Sequence, residues 1–402
     1  MVTDLINWVK NAVLQSDCAK NMALMDVELI NKVREFHRSF PQYSETPLVS
    51  LYNLAKKLGV GGIYVKDESF RFGLNSFKAL GCTFAIASYI AQLLGESVWE
   101  LDYNSLPKMA SKLGEFTFYA ATDGNHGRAV AWAAKELGQK AVIYMNKGSS
   151  KMRFDHIRRE GADATISELN YDDTIRMVRK LAEETQNSEI IQDTAWEGYE
   201  DIPSQIMQGY AVMALEACEQ LGSLGITPTH VALQAGVGAF AGSAQAFVSN
   251  YYKSKSPKSF IVEPTAADCY YQSALRADGE VVNVGGEMKT IMAGLACGEP
   301  SHVSWDILKN KGDYFVTIDD ILTERAMRAL GTPTDGDKKI ISGESGAAGM
   351  GFLLEVLTND SLADLRKESG IGKDSHFLLF STEGDTDPKS YRDIVQNSKY
   401  VL

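Results

Sequence analysis

Three short segments of this chain carry residues whose types and spacing could do chemistry. The first is Asn75-Ser76-Phe77-Lys78, just ahead of an apolar helical stretch at 79–91. A lysine walled by Phe77 and drawn partly out of water would have a depressed pKa, and a neutral amine attacks a carbonyl carbon to form a Schiff base. A solvated lysine at a helix start is the plainer reading. The second is Thr122-Asp123-Gly124-Asn125-His126-Gly127, between a strand pattern and a helix pattern. Its glycines let backbone approach a ligand, a helix N-terminus favours an anion, and Asn125 can donate to a phenolate-like oxygen. A strand-to-helix turn with a capping side chain accounts for the same residues. The third is Gly236-Val237-Gly238-Ala239-Phe240-Ala241-Gly242, again between strand and helix patterns. Exposed N–H groups in such a loop cradle a phosphate. This segment alone also admits a dinucleotide site, because Glu263 ends the next strand pattern where a ribose-binding acid would stand. A nicotinamide-dependent oxidoreductase is therefore a rival reading, although GxGxxxG departs from the usual GxGxxG. No Gly-Lys-Ser/Thr follows, which excludes a P-loop.

Elements that must position these segments alternate along the chain. Strand patterns at 115–122, 140–145, 163–169 and 189–194 are separated by helical patterns at 125–138, 150–162 and 172–185. This run reads as one small unit of β–α repeats. A long helical pattern at 207–222 follows, then a buried strand at 229–235, a helix at 242–253, a strand at 258–264, and a strand from His376 into a polar loop ending at Asp387. Such alternation predicts an α/β protein with mainly parallel sheets. The segment before Lys78 groups with the C-terminal half.

Composition narrows the function classes. The chain has 402 residues, 45% hydrophobic and 23% charged, with a formal net charge of −12. No Lys/Arg run suggests a nucleic-acid face, and the acidity reads as solubility. Five cysteines (Cys18, Cys82, Cys218, Cys269 and Cys297) form no CxxC pair. They point to reduced thiols in a cytoplasmic protein, and spacing does not say whether Cys269 meets Cys297. With six His in no ligand-spaced cluster, no metal site is expected. Residues 1–15 lack a signal-peptide pattern and read as a short amphipathic helix; no apolar run has the length of a membrane span.

In this order and at these separations, the three segments resemble the fold-type II pyridoxal 5′-phosphate (PLP) enzymes, which include the serine/threonine dehydratases, threonine synthase and tryptophan synthase β. The resemblance runs from about Thr46 to Asp387. Thr46-Pro47-Leu48 looks like the opening of that core, and Val65-Lys66-Asp67-Glu68 like the strand before the lysine. Glu344-Ser345-Gly346-Ala347-Ala348 looks like a segment near the cofactor. Ser381-Thr382-Glu383-Gly384-Asp385 looks like the segment whose hydroxyl faces the pyridine nitrogen. The resemblance implies two open, twisted, mainly parallel sheets flanked by helices. A large PLP-binding domain (1–80 and 200–402) would be interrupted by a small inserted α/β domain (81–199). It also implies PLP anchored on Lys78 beside Phe77, with Asn125 on the 3′ oxygen. Gly236, Val237, Gly238, Ala239 and Phe240 would hold the phosphate through backbone amides. Glu344 would lie near the cofactor, and Ser381 or Thr382 would face the ring nitrogen. A hydroxyl there leaves that nitrogen largely unprotonated, which suits β-elimination.

Departures from the dehydratases refine this. They commonly carry Ser-Ala-Gly-Asn-His, whereas this chain has Thr122-Asp123-Gly124-Asn125-His126, and a second acid, Asp193, ends the strand pattern at 189–194. As plain structure, Asp123 would be a helix N-cap and Asp193 a strand-end surface acid. His126 takes no catalytic role, and Trp196 and Tyr199 read as core packing. Taken together, however, the segments ATDGNHG (121–127), QDTAWEGYE (192–200) and FSTEGDTD (380–387) are similar to those of the diaminopropionate ammonia-lyases. That family implies α,β-elimination of 2,3-diaminopropionate, of either enantiomer, to pyruvate and two ammonia. Lys78, Asp123 and Asp193 would be the acid/base groups, because a carboxylate partners the substrate's β-ammonium. The implied assembly is a homodimer acting on a free amino acid, without nucleic acid or membrane. A serine/threonine dehydratase and a non-catalytic PLP or amino-acid binding protein are the alternatives.

Overall fold

Apolar, β-branched runs in the second half of the chain read as strands buried on both faces, and the structure forms them. The computed structural model describes residues 5–13 and 20–397. Its strands are β1 (Ile6–Lys10), β2 (Leu48–Ser50), β3 (Gly62–Asp67), β4 (Thr117–Thr122), β5 (Lys140–Met145), β6 (Asp163–Ile166), β7 (Ser188–Ile190), β8 (His230–Gln234), β9 (Lys258–Pro264), β10 (Tyr314–Ile318) and β11 (His376–Ser381). One sheet runs β1-β10-β9-β8-β11-β3-β2 and the other β6-β5-β4-β7. The smaller sheet is parallel throughout. The larger one is parallel except at its edges, where β1 pairs antiparallel with β10 and β2 with β3. Parallel strands covered by helices on both faces read as near-continuous apolar runs, and β3, β8 and β10 are buried along their whole length.

Two expectations change. Residues 6–10 form strand β1, with Trp8 opposite Val316, not part of an amphipathic helix. The open edge of β10 offers five residues of backbone pairing, and tertiary pairing overrides the local pattern. The rest of that expected helix falls largely outside the described residues, as does Cys18. The strand expected at 189–194 also stops early, at Ile190. Beyond it the Gln192 side chain takes over the pairing. Its Nε2 donates to Ala121 O at 3.1 Å and its Oε1 accepts from Ala121 N at 3.2 Å. The backbone is thereby free to turn Asp193 inward.

Two helices set the approach of the sheets. The helix Lys78–Leu94 crosses the helix Asp201–Ser223 where Gly81 meets Gly209. A Cβ on Gly209 would lie 2.3 Å from Leu80 O and 2.6 Å from Gly81 Cα. Only glycine allows this contact. A buried ion cluster locks the same region. Arg71 donates to Glu68 Oε2 and to Glu216 Oε2, each at 2.8 Å, and Lys66 Nζ lies 2.7 Å from Glu216 Oε2. Burial works to raise the Glu216 carboxyl, but the charges of Arg71 and Lys66 hold it down to about 2. The cluster fastens the turn after β3, which leads to Lys78, onto the helix that carries Tyr210.

Because the atoms nearest an added methyl on Gly209 are backbone, they cannot swing aside. Gly209→Ala should lower stability in urea unfolding by roughly 1–3 kcal/mol or more. A variant as stable as the parent would show that this crossing does not set the helix approach.

Candidate active site

Four strands of the two sheets end facing one cleft. After β3 the chain reaches Ser76-Phe77-Lys78; after β4, Asp123 and Asn125; after β8, Gly236 to Phe240; after β11, Thr382 and Glu383. Carboxyl ends of parallel strands, next to helix N-termini, are where α/β sheets open to ligands. The cleft is lined by these residues together with Asp193, Gln234, Gly294 and Ser345.

At its floor, Lys78 Nζ donates to Asp193 Oδ2 at 2.5 Å. Tyr210 OH donates to the same oxygen at 3.0 Å. Asp193 is 1% exposed, so it is not the surface acid its strand-end position suggested. Burial works to raise the Asp193 carboxyl, but the charge of Lys78, then that of His126, hold it well below the usual range. Lys78 behaves opposite to expectation. Burial works to lower its pKa, yet the charge and hydrogen bond of Asp193 outweigh this and the net shift is upward. The desolvating wall exists, with the Phe77 and Tyr210 rings 5.2 and 5.5 Å from Nζ, but the counter-ion decides the sign.

Asp123 is not a helix cap. Thr122 Oγ1 accepts from Gly124 N at 2.8 Å and from Gly127 N at 3.0 Å, doing that work instead. The Asp123 carboxylate turns into the cleft and accepts from Arg153 Nη1 at 3.2 Å. Asn125 Nδ2 donates to Glu383 Oε2 at 2.5 Å, and Glu383 Oε1 accepts from Ser345 N at 3.0 Å. His126 Nε2 donates to Ile191 O at 2.7 Å beneath the site. The Trp196 and Tyr199 rings stack at 4.2 Å away from the cleft lining.

Of the expected site residues, Phe77, Lys78, Asp123, Asn125, Asp193, Gly236, Val237, Gly238, Ala239, Phe240 and Thr382 come together. Glu344 and Ser381 do not line the cleft. Glu344 accepts from Ser390 Oγ at 2.5 Å and lies 3.8 Å from Arg153 Nη2. Ser381 donates to Ser342 Oγ at 2.8 Å. Between the two hydroxyls considered for the ring nitrogen, Thr382 is therefore the one in the cleft. Gln234 Nε2 donates to Thr382 Oγ1 at 3.1 Å, leaving the threonine hydroxyl free to donate. Gln234 had a signal, an amide closing an otherwise apolar strand just before the glycine loop. Arg153 had none, lying 30 residues from Asp123 on the next helix. Glu263 lies outside the cleft. It accepts from Tyr270 N at 2.9 Å and Tyr271 N at 2.7 Å, so the dinucleotide reading loses its ribose-binding acid.

The lining suits an aromatic aldehyde that carries a phosphate. An amine, a side-chain amide and a hydroxyl share the cleft with the glycine loop, which opens the helix Ala239–Tyr252. Two of the loop's positions have no room for a side chain, since a Cβ would lie 2.8 Å from Gly294 O at Gly236 and 2.0 Å from Tyr270 OH at Gly238.

The chain matches a family model described as pyridoxal-phosphate dependent enzyme over residues 40–367. It is 49% identical over 372 residues to diaminopropionate ammonia-lyase from Escherichia coli, covering 92% of each chain. It is 46% identical over 382 residues to the Salmonella typhimurium enzyme of the same name, covering 94% of each. A crystal structure of the Escherichia coli enzyme in complex with D-serine matches with a TM-score of 0.92 at 44% identity, covering 98% of this chain and 97% of that one. A lysine, two carboxylates and a backbone anion cradle in one cleft agree with that likeness, and the chain belongs to the diaminopropionate ammonia-lyase family of PLP-dependent enzymes.

Proposed function

We propose that this chain is a PLP-dependent ammonia-lyase that converts 2,3-diaminopropionate and water to pyruvate and two ammonia. The observation that carries the reading is the pair of carboxylates, Asp123 and Asp193, in the cleft that holds Lys78. A substrate with an amine on Cβ arrives as an ammonium, and a carboxylate is its natural partner. A hydroxy amino acid offers no such charge.

PLP, when bound, supplies an aldehyde carbon for amines and an electron-withdrawing ring that stabilises charge as the Cα–H bond breaks. The amides of residues 236–240 would hold its phosphate, Asn125 its ring oxygen, and Thr382 its ring nitrogen. Lys78 becomes a nucleophile and base only after losing its proton, and the Asp193 carboxylate, 2.5 Å away, stabilises the protonated form and so governs that loss. Tyr210 keeps that carboxylate oriented. Neutral Lys78 Nζ takes the Cα proton from one face of the substrate, and a carboxylate serves the opposite face. Either enantiomer can therefore react, with Asp193 acting through Lys78 on one face and Asp123 serving the other. The β-nitrogen leaves as ammonia once protonated, and the released aminoacrylate hydrolyses to pyruvate and the second ammonia. Thr382 would offer the ring nitrogen a donor hydroxyl and not a carboxylate, which suits β-elimination.

The family's expected assembly, a cytoplasmic homodimer acting on a free amino acid, is part of the same proposal. So is the division into a large unit (1–80 and 200–402) and a small inserted unit (81–199), which the separation into two sheets supports. Among the described residues no helix is long and apolar enough to cross a membrane.

Pyruvate release by the PLP-loaded enzyme tests the substrate. We expect kcat/KM for diaminopropionate to exceed that for DL-serine by roughly 100-fold or more, since a charged partner is left unpaired by the hydroxyl substrate. Faster turnover of serine would make the protein a serine/threonine dehydratase, and bound PLP with neither turnover would make it a binding protein. Separate assays of the D and L isomers test the two acids. Asp123→Asn and Asp193→Asn should each slow one isomer by roughly 10²–10⁴-fold and the other much less. Equal losses on both isomers would contradict a division of labour between the faces.

A further inference from the structure

The glycine loop explains an anion site only if its N–H groups face the cleft, and glycine does not ensure this by itself. Glycine at positive φ is permissive, so something else must choose the peptide orientation. Behind the loop lies Tyr270, fully buried and not part of the cleft lining. Its hydroxyl donates to Val237 O at 2.7 Å. Ser301 N donates to the same carbonyl at 3.0 Å. Two donors on one carbonyl hold it toward the core. No cis peptide occurs among the described residues, and in a trans peptide the following N–H points opposite to the carbonyl. Pinning Val237 O backward therefore aims Gly238 N–H forward, at the centre of the loop. Gly238 has φ +90°, and a Cβ there would sit 2.0 Å from the Tyr270 hydroxyl, so the glycine and the tyrosine occupy one space.

Tyr270 is itself anchored. It belongs to the helix Cys269–Arg276, whose capping position, Asp268, takes none of the first backbone amides on its side chain, which accepts from Gln272 Nε2 instead. The first amides are satisfied instead by Glu263, from the end of β9. Its Oε1 takes Tyr270 N at 2.9 Å and its Oε2 takes Tyr271 N at 2.7 Å. Glu263 is fully buried and has no part in the proposed chemistry. The dinucleotide-like acid at this strand end thus acts on the backbone of the next helix.

We propose that Tyr270, anchored by Glu263, is a positioning residue that turns the Val237–Gly238 peptide so that its N–H binds the cofactor phosphate. This rests on the reading that residues 236–240 hold that phosphate. The consequence is selective: Tyr270 governs affinity for the phosphate of PLP and not for its ring or aldehyde.

The test uses full-length protein freed of cofactor and titrated with PLP or with pyridoxal, which lacks the phosphate. Binding is read from the Schiff-base absorbance near ~410–420 nm. For Tyr270→Phe, the dissociation constant for PLP should rise about tenfold, the scale of one lost hydrogen bond. That for pyridoxal should stay within about twofold, so that the loss is confined to the ligand that carries the phosphate. Unchanged PLP affinity would overturn the inference, and so would equal weakening of PLP and pyridoxal, which would mark Tyr270 as packing alone. If Tyr270→Phe fails to fold, Glu263→Gln gives the same readout. Its single carbonyl leaves one helix amide unpaired, and PLP should again weaken selectively; equal weakening of the two probes overturns the inference here too. Wild-type protein that shows no saturable band with PLP, or a band that survives in Lys78→Ala, would overturn the underlying reading of the site instead.

Discussion

A lysine ammonium and an aspartate carboxylate at 2.5 Å, enclosed at the floor of a cleft, form the interaction on which the rest of this structure depends. Neither charge would tolerate burial alone. Together they are stable only if each is held, and most neighbouring elements hold one or the other. Tyr210 donates to Asp193 from one helix, and the Gly81–Gly209 crossing brings that helix against the one that begins at Lys78. The Arg71–Glu216 cluster fastens the turn that leads into Lys78 to the same partner helix. The Gln192 amide ends strand pairing at the point where the chain must turn to present Asp193. Burial and charge oppose each other at both groups, and charge prevails at both.

A second charge cluster beside the cleft repeats this logic. Asp123, Glu344 and Glu383 bring negative charge together from both sheets, and Arg153 answers it. Burial works against its guanidinium, but the charges of Glu383, Asp123 and Glu344 raise its pKa. So compensated, Arg153 is poorly suited to capture a substrate carboxylate and well suited to keep Asp123 aimed inward. Among the described residues, the cleft lining carries the carboxylates Asp123, Asp193 and Glu383 against the one cation Lys78, which favours a substrate that brings a second positive charge, in keeping with the proposed diamine.

Much of this was legible in the residues. The strand-to-helix junctions at Lys78, Asp123 and Gly236 could be read because glycine, asparagine and lysine stand out against apolar runs, and those junctions meet in the cleft. Strand existence could be read from apolar runs in the same way. What escaped depended on partners distant in sequence. The rise in the Lys78 pKa requires Asp193, 115 residues away, while the adjacent Phe77 suggested the opposite sign. β1 forms because β10 has an open edge, which no local pattern reveals. Ser381 and Thr382 are equivalent by type, and the pleat decides between them by sending adjacent side chains to opposite faces. Glu263 looked like a ligand-binding acid because its position in a strand–loop–helix unit is right for one; its helix-capping role needed the next helix to be seen.

The Lys78–Asp193 pair can be tested directly by comparing two rates in Asp193→Asn with those of the wild type. One is the capture of PLP by cofactor-free protein near pH 8, which requires neutral Lys78; the other is pyruvate formation from diaminopropionate. Without the carboxylate, the charge and hydrogen bond that offset burial are gone and the pKa of the amine falls, so a larger fraction is neutral. The account predicts that capture becomes faster while pyruvate formation slows for at least one enantiomer. Capture unchanged or slowed in step with turnover would show that Asp193 does not hold the proton of Lys78.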